Sequence, residues 1–107
     1  MLYELRIYDT VPGKLPALHD RFVNLTLSLF KKHGINVVGF WTDEVGVSNR
    51  LTYIISFKDM AHREQAWGAF QNDPDWVRGR AESERNGPIN ERITNTFLRP
   101  TSYSPLQ

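Results

Sequence analysis

A chain of 107 residues that is 40% hydrophobic and 23% charged makes one domain, with a single core under a large surface. Its 13 basic and 12 acidic residues leave a net charge of +1, and the longest basic run is only Lys31-Lys32-His33, which argues against a nucleic-acid partner. Cysteine is absent, removing disulfides, zinc thiolates and thiol nucleophiles together, and no apolar run reaches membrane-spanning length.

The first segment, residues 2–9, reads as a strand. Tyr3, Leu5 and Ile7 alternate with Glu4, Arg6 and Tyr8, so each set takes one face. Val11-Pro12-Gly13 breaks it. Leu15, Leu18, Phe22, Leu25 and Leu29 then recur at steps of three and four, which predicts one long amphipathic helix. Pro16 is tolerated in its first turn, Lys31, Lys32 and His33 suit the negative end of its dipole, and Gly34 supplies a left-handed stop.

Residues 36–44 and 50–58 read as a hairpin joined by a longer loop. Asp59 is a candidate N-cap for a second helix carrying Ala66, Trp67 and Phe70. Asp73-Pro74 opens a third, anchored by Trp76 and Val77 and ended by Asn86-Gly87-Pro88. A last strand covers residues 90–98, and a Pro- and Ser-containing tail follows Arg99. The order is that of an α+β, ferredoxin-like βαββαβ domain, with a four-stranded antiparallel sheet and both helical crossovers on one face. The other face would carry Trp41, Ile54, Tyr8 and Leu98, too apolar to stay wet. Two copies pairing through it would close a dimeric α/β barrel, so a homodimer is expected.

Several segments together resemble the bacterial branch of the NIPSNAP family: YELRIY, VPGKLPAL, KHGINVVGFWT, LTYIISF, FQNDPDW and GPINERITNTFLRPTSYSP. The likeness runs in order over nearly the whole chain, as a single domain of residues 1–107. It implies a dimeric α+β barrel, in a superfamily that also holds cofactor-free monooxygenases, haem-degrading enzymes and small stress-response proteins. It carries over no catalytic residues. Animal relatives are linked to vesicle transport and mitochondria, but the first residues here read as a charged strand rather than a transit or signal peptide, so a cytoplasmic location is expected.

The candidate ligand pocket is the barrel interior. Glu4, Arg6 and Tyr8 are expected to point into it, with Trp41 from the second strand, Thr52, Ile54 and Ser56 from the third, and Thr94 and Thr96 from the fourth. Aromatic walls with a few polar groups suit a small molecule. Arg6 would bind a carboxylate or enolate and Tyr8 would donate a proton or a hydrogen bond. The competing reading makes Glu4–Arg6 a buried ionic network that sets dimer register. No metal site is expected: His19, His33 and His62 show no ligand spacing, although one helix histidine as an axial haem ligand stays open. G-x-S-x-G, the P-loop and G-x-G-x-x-G are all missing. Three functions follow: binding or cofactor-independent oxidation of a small aromatic or acidic molecule, a non-catalytic dimeric interaction module, or haem binding. Whether the protein is an enzyme is left open by the sequence.

Overall fold

The structure, a computed structural model, describes residues 1–107. Strand β1 (Leu2–Thr10) leads into a helical rod made of α1 (Leu15–Arg21), a π-helical turn (Phe22–Thr26) and α2 (Leu27–Lys32). Strands β2 (Asn36–Thr42) and β3 (Arg50–Phe57) follow, then α3 (Met60–Gln71), α4 (Pro74–Ser83) and β4 (Asn90–Leu98). The sheet runs β2-β3-β1-β4 and every pairing is antiparallel. The helices cover one face, as the strand–helix order requires.

Most of the predicted terminators act as expected. Asp59 caps α3 by accepting from the His62 N–H at 2.8 Å, and Asp73 caps α4 by accepting from the Asp75 N–H at 2.9 Å. Gly34 ends the rod at φ 71°, where a side chain would be strained. Asp73 also joins the two ends of the helical layer, since Lys32 Nζ lies at 2.8 Å and His33 Nε2 at 2.7 Å from its Oδ2. Hydrogen bonds from Lys32, from His33 and from the Asp75 backbone hold the Asp73 carboxyl well below the usual range. His33 is thus tied to a specific acid as well as to the helix dipole.

Three local expectations are corrected. The long helix is not uniform, because the Leu27 N–H reaches back five residues to the Phe22 carbonyl and widens one turn. Helix α4 stops at Ser83, three residues before Asn86-Gly87-Pro88, and Val77 is 56% exposed rather than an anchor. Strand β2 stops at Thr42 because Asp43 turns back to accept the Val47 N–H at 2.8 Å and so starts the loop early.

The core lies between sheet and helices. Leu51, Tyr53, Ile55 and Phe57 alternate inward along β3, and Phe30, Leu18, Phe70 and Ile89 pack over them. Tyr53 has no exposed surface and stacks on Phe40 with ring centroids 4.9 Å apart. Gly79 lets α4 press against the π turn, where an added Cβ would fall 2.5 Å from Leu25 Cδ2.

Candidate functional site

The pairing of β1 decides where its side chains go. Glu4 stands opposite Ile55, Arg6 opposite Tyr53 and Tyr8 opposite Leu51. Residues directly opposite share a face, so Glu4, Arg6 and Tyr8 lie on the helix side with the core. Thr52, Ile54 and Ser56 pair instead with Ile7, Leu5 and Tyr3, on the open face. Trp41 pairs with Thr52 and joins them there.

The expected pocket is therefore divided between the two faces. The open face does hold Trp41, Thr52, Ile54, Ser56, Thr94 and Thr96, but Glu4, Arg6 and Tyr8 sit under the helices. The Glu4–Arg6 pair likewise cannot set register across the open face. The physical reason is a one-residue difference in the register of β1, which turns every side chain of the strand over. On the open face the Trp41 ring lies along its own strand above Gly39, where an added Cβ would meet Trp41 Cη2 at 2.7 Å. The tail closes one end of that face, with Tyr3 OH donating to the Gln107 carbonyl at 3.0 Å.

Under the helices the charged residues of β1 form a connected group. Glu4 is fully buried and accepts from Arg6 Nη1 at 2.6 Å, from Arg63 Nε at 3.0 Å and Nη2 at 3.2 Å, and from Asn95 Nδ2 at 3.2 Å. Burial by itself would raise the Glu4 carboxyl, but the hydrogen bonds from Arg63, Arg6 and Asn95 and the charge of Arg6 outweigh it and hold it below its ordinary value. The Arg6 guanidinium lies 4.4 Å from the Trp67 ring centre and 5.5 Å from that of Tyr8. Arg6 Nε donates to Tyr8 OH at 3.4 Å, and Tyr8 OH lies 2.8 Å from Tyr53 OH. Burial works against the Arg6 charge, yet the Tyr53 and Tyr8 hydroxyls and the bond to Glu4 strengthen it further. Burial first, and then the neighbouring Tyr8, push the Tyr53 hydroxyl well above its usual value despite Arg6, so Tyr53 keeps its proton.

Arg6, Tyr8 and Trp67 of this group border a cavity of about 350 Å³ between the sheet and the helices. The volume is within the range of small-molecule sites. Its aromatic wall includes Phe22, Phe30, Trp67, Phe70 and Trp76. Four arginines (Arg6, Arg21, Arg80 and Arg92) border it against two glutamates, Glu84 and Glu91. Glu84 is already occupied, at 3.4 Å from Arg21 Nη1 and 3.7 Å from Arg80 Nε. The π turn supplies Phe22 and Thr26 to the wall, and Arg21 directly precedes it. Such turns often mark functional sites because they re-aim side chains out of the helical register.

Trp67 and Trp76 are thus cavity walls as well as core residues. Sequence reading passed over Arg21, Arg63, Arg80 and Arg92, which look like solvated helix and strand positions. The signal that could have found Arg21 is its place on the apolar stripe, one residue before Phe22 and three after Leu18. No histidine borders this cavity, so haem does not fit it through an imidazole ligand. His62 instead accepts from the Lys58 N–H at 3.0 Å, while His19 borders a second, more open apolar groove beside Val23, Leu27, Phe40 and Trp41.

A four-stranded antiparallel sheet with helices on one face and an arginine-rich cavity between the layers defines a ferredoxin-like α+β protein with a built-in pocket. The NIPSNAP family model matches residues 3–105, and the chain belongs to that family. A NIPSNAP family protein of unknown function from Agrobacterium tumefaciens is 26% identical, over 100% of this chain and 94% of that one, with a TM-score of 0.87. An uncharacterized NIPSNAP domain protein from Burkholderia xenovorans is 25% identical, over 98% of this chain and 99% of its own, with a TM-score of 0.86. A putative antibiotic biosynthesis monooxygenase from Nitrosomonas europaea, 8% identical over 94% of this chain and 98% of that one, shares the fold at a TM-score of 0.66. No curated protein matches the chain. No helix is long and apolar enough to cross a membrane.

Proposed function

We propose that this protein binds a small acidic molecule carrying a flat ring, in the cavity between its sheet and its helices. The observation behind this reading is the state of Arg6. Its side chain is 9% exposed, its Nε and Nη1 are engaged, and its Nη2 takes no acceptor within the protein at the floor of the cavity. Arg63 has a second carboxylate, Glu64, at 3.3 Å, whereas Arg6 has only Glu4 and shares it with Arg63. A buried guanidinium that shares its one carboxylate is only partly compensated, and a bound anion completes the compensation. The aromatic wall supplies the surface for a ring.

Isothermal titration calorimetry with 3-phenylpropanoate tests this reading. Binding is expected, and Arg6→Gln should weaken it by about 10- to 100-fold, the span of one charge-assisted hydrogen bond. An unchanged affinity in Arg6→Gln would sink the assignment. If the ligand is an electron-rich ring, cofactor-independent oxygenation is open to it, with the substrate supplying the electrons and molecular oxygen accepting them. The fold shared with a putative antibiotic biosynthesis monooxygenase is compatible with that step.

The open face supports a second element of the reading, a homodimer. Trp41 is 50% exposed and Leu98 40% exposed beside half-buried Leu5, Ile7 and Ile54 on one continuous surface. Two such surfaces facing each other would complete the barrel, and a non-catalytic interaction module would use the same contact. Trp41→Ala should raise the dimer dissociation constant by roughly tenfold, as loss of a central aromatic contact does. Native mass spectrometry over a dilution series reads this, and a monomer in the unaltered protein would remove the dimer from the proposal.

A further inference from the structure

Arg21 repeats the situation of Arg6 elsewhere in the same cavity. Its side chain is 5% exposed, and its guanidinium lies 5.5 Å from the Trp76 ring centre, as that of Arg6 lies over Trp67. Only Nη1 is engaged, donating to Ser83 Oγ at 3.3 Å and to Glu84 Oε1 at 3.4 Å, both long for a charged donor. Nε is buried without a partner, and Nη2 takes no acceptor within the protein. The one carboxylate that Arg21 meets is shared with Arg80, whose Nε is 3.7 Å from Glu84 Oε2. A buried cation paired so loosely is only partly compensated.

A second unengaged group stands at that end. Asn90 borders the cavity, and its Oδ1 is buried without a donor. The end of α4 that carries Ser83 and Glu84 leads through Pro88 to Asn90, so the partners of Arg21 and this amide arrive on one connection. In the sheet Asn90 stands opposite Thr10, four residues along β1 from Arg6, which at the rise of a strand is about 13 Å. Phe70 links Trp67 to Trp76, with ring centroids 5.2 and 4.6 Å away. The cavity thus has a guanidinium at each end of one aromatic wall.

We propose that the ligand is an aromatic diacid, with one carboxylate on Arg6 and the second, across the ring, on Arg21 Nη2 and the Asn90 amide. This rests on the reading of the cavity as an anion site. The charges agree with it, since Arg21, Arg80 and Arg92 outnumber Glu84 and Glu91 on the lining, and Glu84 is held between two of them. The length agrees too: about 13 Å, less a hydrogen bond of about 2.9 Å at each end, is the reach of a para-substituted ring with a short arm.

Calorimetry compares 3-(4-carboxyphenyl)propanoate with 3-(4-carbamoylphenyl)propanoate, which keeps the shape and drops the second charge, and with 3-phenylpropanoate. The diacid should bind about tenfold tighter than either, the worth of one charge-assisted hydrogen bond. In Arg21→Gln, and independently in Asn90→Asp, the affinity ratio of diacid to amide should fall below about twofold. The ratio is read within each variant, so a general change of affinity cancels, and thermal melts confirm that each is folded. Asn90 is half-buried at the start of its strand, so its variant decides the matter if Arg21→Gln does not fold. A diacid no tighter than the amide in the unaltered protein, or a tenfold ratio kept in either folded variant, would overturn the diacid assignment and leave the Arg6 site standing. Binding of none of the three would overturn both.

Discussion

Replacing Glu4 with alanine should cost about 3–5 kcal/mol of folding stability, the penalty for breaking a buried ion pair from one side. The carboxylate is fully buried and accepts four hydrogen bonds, three of them from two arginines whose side chains are 9% and 13% exposed. Without it Arg6 is left with no carboxylate partner, and Arg63 keeps only the exposed Glu64 at 3.3 Å. Urea unfolding measures the loss. A cost below about 1 kcal/mol would mean that the arginines relax into solvent and that the network contributes little. The double variant Glu4→Ala/Arg6→Met should recover part of the loss, because it removes the charge that Glu4→Ala strands. The same carboxylate sets an acid limit. Its folded pKa lies below its unfolded one, near 4.3, so its contribution is complete above that value and disappears as pH falls through the lowered folded pKa. An acid titration of stability should therefore show less pH dependence in Glu4→Gln than in the unaltered protein.

Phe30→Ala should cost a similar amount, about 3–5 kcal/mol, for a different reason. The ring is 1% exposed and is ringed by aromatics, with centroid distances of 5.0 Å to Phe70, 6.0 Å to Trp67 and 6.3 Å to both Phe22 and Tyr53. Large flat rings held on three different elements cannot collapse into the space it would vacate. The void would open into the existing cavity, since Phe30 already borders it. A longer acid such as 4-phenylbutanoate should then gain affinity relative to 3-phenylpropanoate, even as stability falls. A stability loss under about 1.5 kcal/mol would show that the aromatic cluster repacks freely.

Much of this arrangement is legible in the residues themselves. The three- and four-residue steps of Leu15, Leu18, Phe22, Leu25 and Leu29 demand an amphipathic rod, and Asp59 and Asp73 announce the helices they cap. The alternation of β3 is also plain. Leu51, Tyr53, Ile55 and Phe57 form the apolar set, so Thr52, Ile54 and Ser56 belong to the other face, where the sheet pairing puts them. These features are local: each follows from a period or a cap within about a dozen residues.

The site was only half legible. That Glu4, Arg6 and Tyr8 share one face follows from the period of two, and their chemistry was read from their side chains. Which face they share depends on how β1 aligns with β3, more than forty residues later, and a shift of one residue reverses the answer. A polar stripe beside an apolar one ordinarily goes away from the core, which points to the wrong side here. The core accepts the charges because Arg63 from α3 and Asn95 from β4 arrive to complete the Glu4 carboxylate, and Trp67 covers Arg6. None of those partners is near β1 in the chain. The sequence by itself determined the elements, their order and the chemical inventory, because these rest on local periodicity and capping. Only the tertiary structure decided that the inventory lies beneath the helices and lines a cavity, because long-range register and the convergence of four separate elements have no local signature.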